Sequence, residues 1–342
     1  MHSLPFYPPS PADVSADVTA PSAAYRLRAA GVAVAVGLFF LSYLAAAMAC
    51  VAYILWAAVW CPWDDGAWLV VKAIAMALIV PVGGFLGYWL SALANIRSAP
   101  PPDAVEIFEA DHPRLFAFIE RLCDEIGVAR PAHVFLDDRV NASAVLETPD
   151  GNGLLIGIGL IQCLSLCEFK AILAHEIGHF SQRSVALNRY VRIAGQVVAY
   201  LMRGDTGLER VLRAWAGLHL SLAWPAHAVL VVLRSCRGTL AAMWGMIYRA
   251  HQALAREEEL HADRIAVRFA GSDALIDALA ACAIADECVR ESEPPTFAAG
   301  GIDDHPSDAE RECNARAIPI AADRDERSAR LLFGALASEP EA

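Results

Sequence analysis

The sequence carries little charge for its length and has no cluster of basic residues. Charged side chains make up 19% of its 342 residues, and the formal net charge is −12. A nucleic-acid binder needs a concentrated positive face, so that class of function is set aside. Paired cysteine spacing is missing as well. The nine cysteines are an odd number, and no two of them stand as Cys-x-x-Cys. That excludes a disulfide framework and points to a folded part kept reduced in the cytosol. Cys163 and Cys167 read as packed thiols, not as ligands. Residues 1–25 lack the basic stretch that opens a secretory signal. Rich in Pro, Ser and Ala, they read as a disordered tail.

Apolar residues are abundant: 56% of the chain is hydrophobic and the mean hydropathy is +0.40. Ala29 to Trp60 contains no charge and exceeds the roughly 20 residues that cross a bilayer as a helix. Residues 61–66 form a short polar turn, and a second apolar run extends from Ala67 to Leu93, with Lys72 near its start and Pro81 inside it. Gly83 and Gly87 have the spacing that lets two membrane helices approach closely. Arg26 and Arg28 precede the first run and Arg97 follows the second, whereas the connecting turn has no Lys or Arg. The excess of positive charge on cytoplasmic flanks places both ends of this hairpin on the cytoplasmic side.

The residues that carry chemistry are His175-Glu176-Ile177-Gly178-His179. Side chains four apart on a helix lie one above the other, so His175 and His179 offer two imidazoles to one zinc ion. Glu176 stands beside them to take a proton from metal-bound water. The sequence supports a helix here: Ser165 and Glu168 have capping-box spacing, and Ile172, Leu173, Ile177 and Phe180 recur at helical intervals. Upstream, Leu115, Phe118, Ile119 and Leu122 predict a helix over 113–126. His133–Leu136 and Leu154–Ile158 read as strands, with turn residues at 149–153 before the second. Residues 139–145 lie between them and offer an edge to which an extended peptide can add.

A catalytic zinc takes three protein ligands and a water. Arg256 to Asp263 supplies the third: Glu259 and Asp263 share one helix face, so Glu259 is the candidate ligand and Asp263 the acceptor that fixes the tautomer of a ligand imidazole. His261 points elsewhere. If Glu259 joins His175 and His179, the chain between them crosses the membrane an even number of times. The apolar stretch 190–250, studded with Arg192, Arg203, Arg210, Arg213, Arg234 and Arg237, is then either a second hairpin or a set of interfacial helices.

These motifs, Ala174 to Phe180 and Glu259-x-x-Ala262-Asp263-x-x-Ala266-Val267, resemble the membrane zinc metallopeptidase family of the CAAX prenyl protease and the HtpX-type heat-shock proteases. Pro131, Asn141-Ala142, Gly271 to Leu275, His305-Pro306 with Glu310-Arg311, and Asp325 to Ala329 are similar to further family positions, the last of them to a bacterial subgroup. Asp304 departs from the small hydroxyl residue usual before the His-Pro pair. The resemblance implies a mainly α fold with a small β-sheet: a zincin-like domain behind an N-terminal transmembrane hairpin. It implies one zinc per chain, with His305 or Arg311 stabilising the oxyanion and Asn141-Ala142 at the substrate-binding edge. The partners it implies are a protein or peptide substrate and the lipid bilayer, in a bacterial inner membrane with the catalytic domain cytoplasmic. The oligomeric state is left open. The expected organisation is a tail (1–28), the hairpin (29–93), a linker (94–112) and the peptidase domain (113–342) with its apolar insert (190–250). The rival reading is a membrane-bound chaperone or interaction module with a structural metal site.

Overall fold

The computed structural model describes residues 5–12, 14, 19, 23–60, 69–94, 104–148, 151–180, 185–203, 207–217, 220–292 and 306–338. The chain is mainly helical with one small sheet, and it divides into two units. One holds residues 1–26, 98–185 and 252–342; the other holds 27–97 and 186–251.

The second unit contains the apolar helices. Helix α1 (Ala23–Leu55) continues into a π-helical turn, Trp56–Trp60, and α2 spans Leu69–Ala94. Tyr43 stacks on Trp89 at 4.8 Å, and the Tyr53 hydroxyl donates to the Ala75 carbonyl at 3.0 Å. Partners that descend along α2 as they rise along α1 make an antiparallel pair. Val32, Val36, Phe39, Tyr43 and Ala47 form a single buried stripe on α1, while Leu38, Leu41, Leu44 and Met48 on its other side are each more than half exposed. An apolar face of that extent suits hydrocarbon better than water. Among the described residues, two helices are long and apolar enough to cross a membrane, over Ala23–Val59 and Ala226–Ala270. Gly83 and Gly87 do not make the close approach their spacing suggests: a Cβ built on either meets nothing within 4 Å among the described residues. Gly84 makes one instead, against Leu208 of α7 (Gly207–Ala216), where the gap is 3.0 Å.

Helix α6 (Val185–Met202) precedes α7, and α8 then runs from Leu220 to Ala270 without a break. The sequence suggested separate pieces here. The intervening arginines do not end the helix, because their long stems cover apolar surface while the backbone continues. Arg237 is buried, ion-paired with Glu209 of α7, and its Nη2 donates to the Tyr88 hydroxyl at 2.8 Å.

The first unit carries the sheet, in the order β1-β2-β4-β3. These strands are Val105–Ile107, His133–Asp137, Gly151–Gly157 and Ala142–Thr148 for β1, β2, β4 and β3. β2 and β4 pair in parallel, β1 runs antiparallel to β2, and β3 antiparallel to β4. Strand β1 lies inside 94–112, the stretch read as a linker. Three residues are too few for a strand pattern to register in sequence.

Helix α3 (Pro113–Ile126) buries the predicted Leu115, Phe118, Ile119 and Leu122 and ends at Gly127, whose φ of 83° lets its N–H reach the Cys123 carbonyl. After the short α4 (Ile158–Cys163), α5 (Leu166–Phe180) crosses the centre of the core. The capping box forms: Glu168 accepts from the Ser165 N–H at 2.7 Å, and the Ser165 hydroxyl faces the Glu168 N–H at 3.4 Å. Helices α9 (Ser272–Ser292) and α10 (Asp308–Arg316) and a closing 3-10 segment, Ala329–Ser338, complete the unit.

The stretch 1–28, expected to be a disordered tail, is partly built into this core. Pro8 is buried, and Phe6 and Tyr7 pack on the core side chains. Composition pointed to disorder because the partners of these residues lie more than a hundred positions away.

Candidate metal centre and catalytic site

Helix α5 is buried on nearly every side, so the polar groups on it need partners. His175 and His179 stand one turn apart with their rings edge to face, 5.0 Å between centroids and 85° between planes. The second half of α8 supplies their counterpart. His175 Nε2 lies 3.1 Å from one Glu259 carboxylate oxygen, and His179 Nε2 lies 3.6 Å from the other. One ligand atom from each residue falls within 4.8 Å of the others, although Glu259 is 84 positions from His175. Among the described residues, this is the one group of three such side chains. Gly178 lets α8 come this close: a Cβ there would stand 3.2 Å from Ile265 Cδ1.

Support comes from behind. Asp263, one turn after Glu259, is completely buried, and its Oδ1 accepts from His175 Nδ1–H at 2.9 Å. That bond turns Nε2 toward the ligand group. Arg311 of α10 donates from Nη2 to Asp263 Oδ1 at 2.7 Å and from Nε to both oxygens at 3.2 Å. Arg311 Nη2 also stands 3.1 Å from His175 Nδ1. A protonated Nδ1 cannot accept there, so the guanidinium serves the carboxylate and not the ring. Burial would raise the Asp263 pKa, but bonds to His175 and Arg311 outweigh it and hold the carboxyl below its usual range. Burial alone would lower the His175 pKa; Asp263 and Glu259 reverse that and hold it up at about 9. A cation held at Nε2 would take the place of that proton.

Glu176 reaches the sheet: its Oε2 accepts from the Ala144 N–H of β3 at 2.9 Å. The Gly157 N–H donates to the Asn141 carbonyl at 2.7 Å, which fixes the alternation along β3. The backbone groups of Ser143 and Val145 therefore face β4, and those of Ala142 and Ala144 face the open edge. Asn141 directly precedes this strand and Ala142 begins it. Sequence reasoning did not single out Ala144. The alternation rule would have found it once the pairing of Asn141 with Gly157 was known.

His305 lies outside the described residues. Arg311 is brought to the site, but with Nε and Nη2 directed at Asp263. His261, expected to point away, bonds to the Thr19 carbonyl at 2.7 Å.

Residues 109–318, over half of the chain and including His175, Glu176, His179, Glu259, Asp263 and Arg311, match the model of Peptidase family M48. The chain belongs to peptidase family M48. Curated relatives of this M48 chain include a Protease HtpX homolog of Acidiphilium cryptum (strain JF-5), 30% identical over 48% of this chain and 59% of the relative. Another from Polynucleobacter necessarius subsp. necessarius (strain STIR1) is 28% identical over 34% of this chain and 40% of its own length. A third, from Paraburkholderia phytofirmans (strain DSM 17436 / LMG 22146 / PsJN), is 23% identical over 61% and 68%. The M48 chain thus spans about half the length of the first two relatives. No solved structure matches it. Family membership accounts for a His-His-Glu group on two buried helices, a donor set that fits a divalent metal.

Proposed function

We propose that this chain is an integral-membrane zinc endopeptidase that hydrolyses peptide bonds of proteins at the cytoplasmic membrane face, in the quality control of membrane proteins. The observation that carries the reading is the meeting of His175, His179 and Glu259 beside the Glu176 carboxylate, which itself rests on an open strand edge. His175, His179 and Glu259 would hold the zinc, which when bound polarises the scissile carbonyl and acidifies its water.

The chain's own groups perform the rest. A substrate adds to β3 in extended form, bonded by the outward backbone groups of Ala142 and by the Ala144 carbonyl, with Asn141 at the entry to that edge. Glu176, anchored at Ala144, lies beside the bond to be cut. It takes the proton of the attacking water and passes it to the leaving amine. Asp263 holds His175 in the required tautomer, and Arg311 acts through Asp263 as a positioning residue in place of the oxyanion role suggested by resemblance. That leaves His305 as the proposed oxyanion donor. The antiparallel pair α1 and α2 anchors the enzyme, its basic flanks at Arg26, Arg28 and Arg97 keeping both ends cytoplasmic, in a bacterial inner membrane.

Elemental analysis of the purified chain should find one zinc per molecule. A strong chelator should remove both metal and casein hydrolysis, and added zinc should restore them. Hydrolysis that survives complete metal removal would sink the reading. Asp263→Asn should weaken zinc binding about 10- to 100-fold, the usual effect of losing a partner behind a ligand imidazole. Arg311→Lys keeps the charge but loses the two-nitrogen contact, so zinc binding should weaken less than in Asp263→Asn. Zinc competition with a chromophoric chelator measures both, and wild-type affinity in Arg311→Lys would remove that residue from the supporting set.

A further inference from the structure

The sequence contains two lysines, Lys72 and Lys170, and Lys170 is completely buried in the middle of α5. A buried ammonium needs acceptors. Its shortest contacts come from the start of the chain: the Pro8 carbonyl and the Ser10 hydroxyl, each at 2.8 Å, with the Tyr7 ring 4.2 Å away. Glu125 of α3 stands further off, at 3.7 Å. That carboxylate is bound by the same segment, accepting from the Tyr7 and Ser10 hydroxyls at 2.6 Å each, and also from Arg121 at 2.9 Å. The apolar side of the segment is equally specific. Tyr7 packs on Phe118 at 4.9 Å, and Phe6 lies between the guanidinium groups of Arg114 at 4.8 Å and Arg327 at 5.7 Å.

We infer that α3, α5 and the Arg327 segment form a peptide-binding groove, separate from the metal centre, whose ligand is the chain's own Phe6-Tyr7-Pro8-Pro9-Ser10. The groove reads an extended peptide by two aromatic rings, one backbone carbonyl and two hydroxyls: the Pro8 carbonyl and the Ser10 hydroxyl accept from the buried Lys170 ammonium, and the Tyr7 and Ser10 hydroxyls donate to the half-buried Glu125 carboxylate. A tail that merely covers a surface would leave no polar group short of partners when it detaches; this one would take from Lys170 its two closest acceptors and from Glu125 two of its donors. By helical geometry, Lys170 lies about 140° around α5 from His175 and about 180° from His179. The segment therefore grips the metal-bearing helix from the side away from the metal ligands. Burial pushes the Lys170 amine down to about 8, with Glu125 pulling the other way. An amine of that kind is readily acylated once water reaches it, so its reactivity reports whether the groove is filled.

The test uses the full-length chain in detergent, acylated with an amine-reactive ester and read by mass spectrometry at Lys170. In wild type, Lys170 stays unmodified. In Phe6→Ala/Tyr7→Ala, its acylation rises at least about tenfold. A synthetic peptide covering residues 4–12 suppresses that rise, whereas the same peptide with both aromatics replaced by alanine does not. Wild type binds the peptide at least about tenfold more weakly than the double variant, because its tethered segment competes at millimolar effective concentration. Lys170 equally protected in the double variant, or a rise that the peptide does not reverse in a chain with native circular dichroism, would overturn the inference. If the double variant loses its helical signal, Tyr7→Phe decides: loss of one hydroxyl should raise Lys170 acylation about fivefold, and unchanged acylation would overturn the inference too.

Discussion

Glu176→Gln should leave one zinc per chain and an unchanged circular dichroism spectrum while peptide hydrolysis falls about 10²- to 10⁴-fold, the range that a positioned general base contributes. The substitution keeps the shape of the side chain, and the amide oxygen can still accept from the Ala144 N–H that holds Glu176 at 2.9 Å. What it removes is the ability to take a proton. Purified variant and wild type, compared for metal content and casein cleavage, separate this reading from a metal site with a purely structural role. A structural site has no use for the carboxylate, and the two proteins would then be indistinguishable in every assay. Cleavage at the wild-type rate in the variant would assign the base elsewhere.

Glu259→Ala should have an equally large effect on the metal itself. Glu259 is the single ligand we propose on α8, and both imidazoles face its two oxygens at 3.1 and 3.6 Å. Without it, two histidines on one helix remain. We expect zinc affinity to fall by more than the roughly 100-fold upper effect of losing an outer-shell partner, and hydrolysis to go with it. The neighbouring Glu258 makes a demanding control. It is buried and accepts from the Tyr25 hydroxyl at 3.3 Å. Glu258→Gln should therefore retain its zinc. Full zinc occupancy in Glu259→Ala, or equal loss in both variants, would remove Glu259 from the ligand set.

The part of this site visible in the sequence is the part fixed by helix geometry. His175 and His179 repeat at one turn, as do Glu259 and Asp263, so each pair declares its own face whatever surrounds it. That the two faces meet is a tertiary fact, and in the sequence it rested on the need of a zinc for a third ligand, supported by resemblance. Arg311 shows the limit: the resemblance suggested an oxyanion donor, and only the position of α10 reveals that two of its nitrogens are directed at Asp263. Strand β1 and residues 6–10 were missed for a related reason. A three-residue strand is too short for periodicity to register, and a Pro-rich stretch looks unstructured until Lys170 and Glu125, far along the chain, supply its partners. The length of α8 was hidden differently, since arginines and a drop in hydropathy resemble a boundary yet leave the backbone free to continue.

The outer edge of β3, proposed as the substrate's docking strand, carries a consequence for selectivity. A polypeptide would line up along it only after giving up its own internal backbone pairing. Stretches held in a tight helix or locked inside a sheet are thereby refused, whatever their side chains. Vulnerability at such a rim is set by how readily a client frays, so a sound protein and a damaged one of identical sequence would meet different fates there.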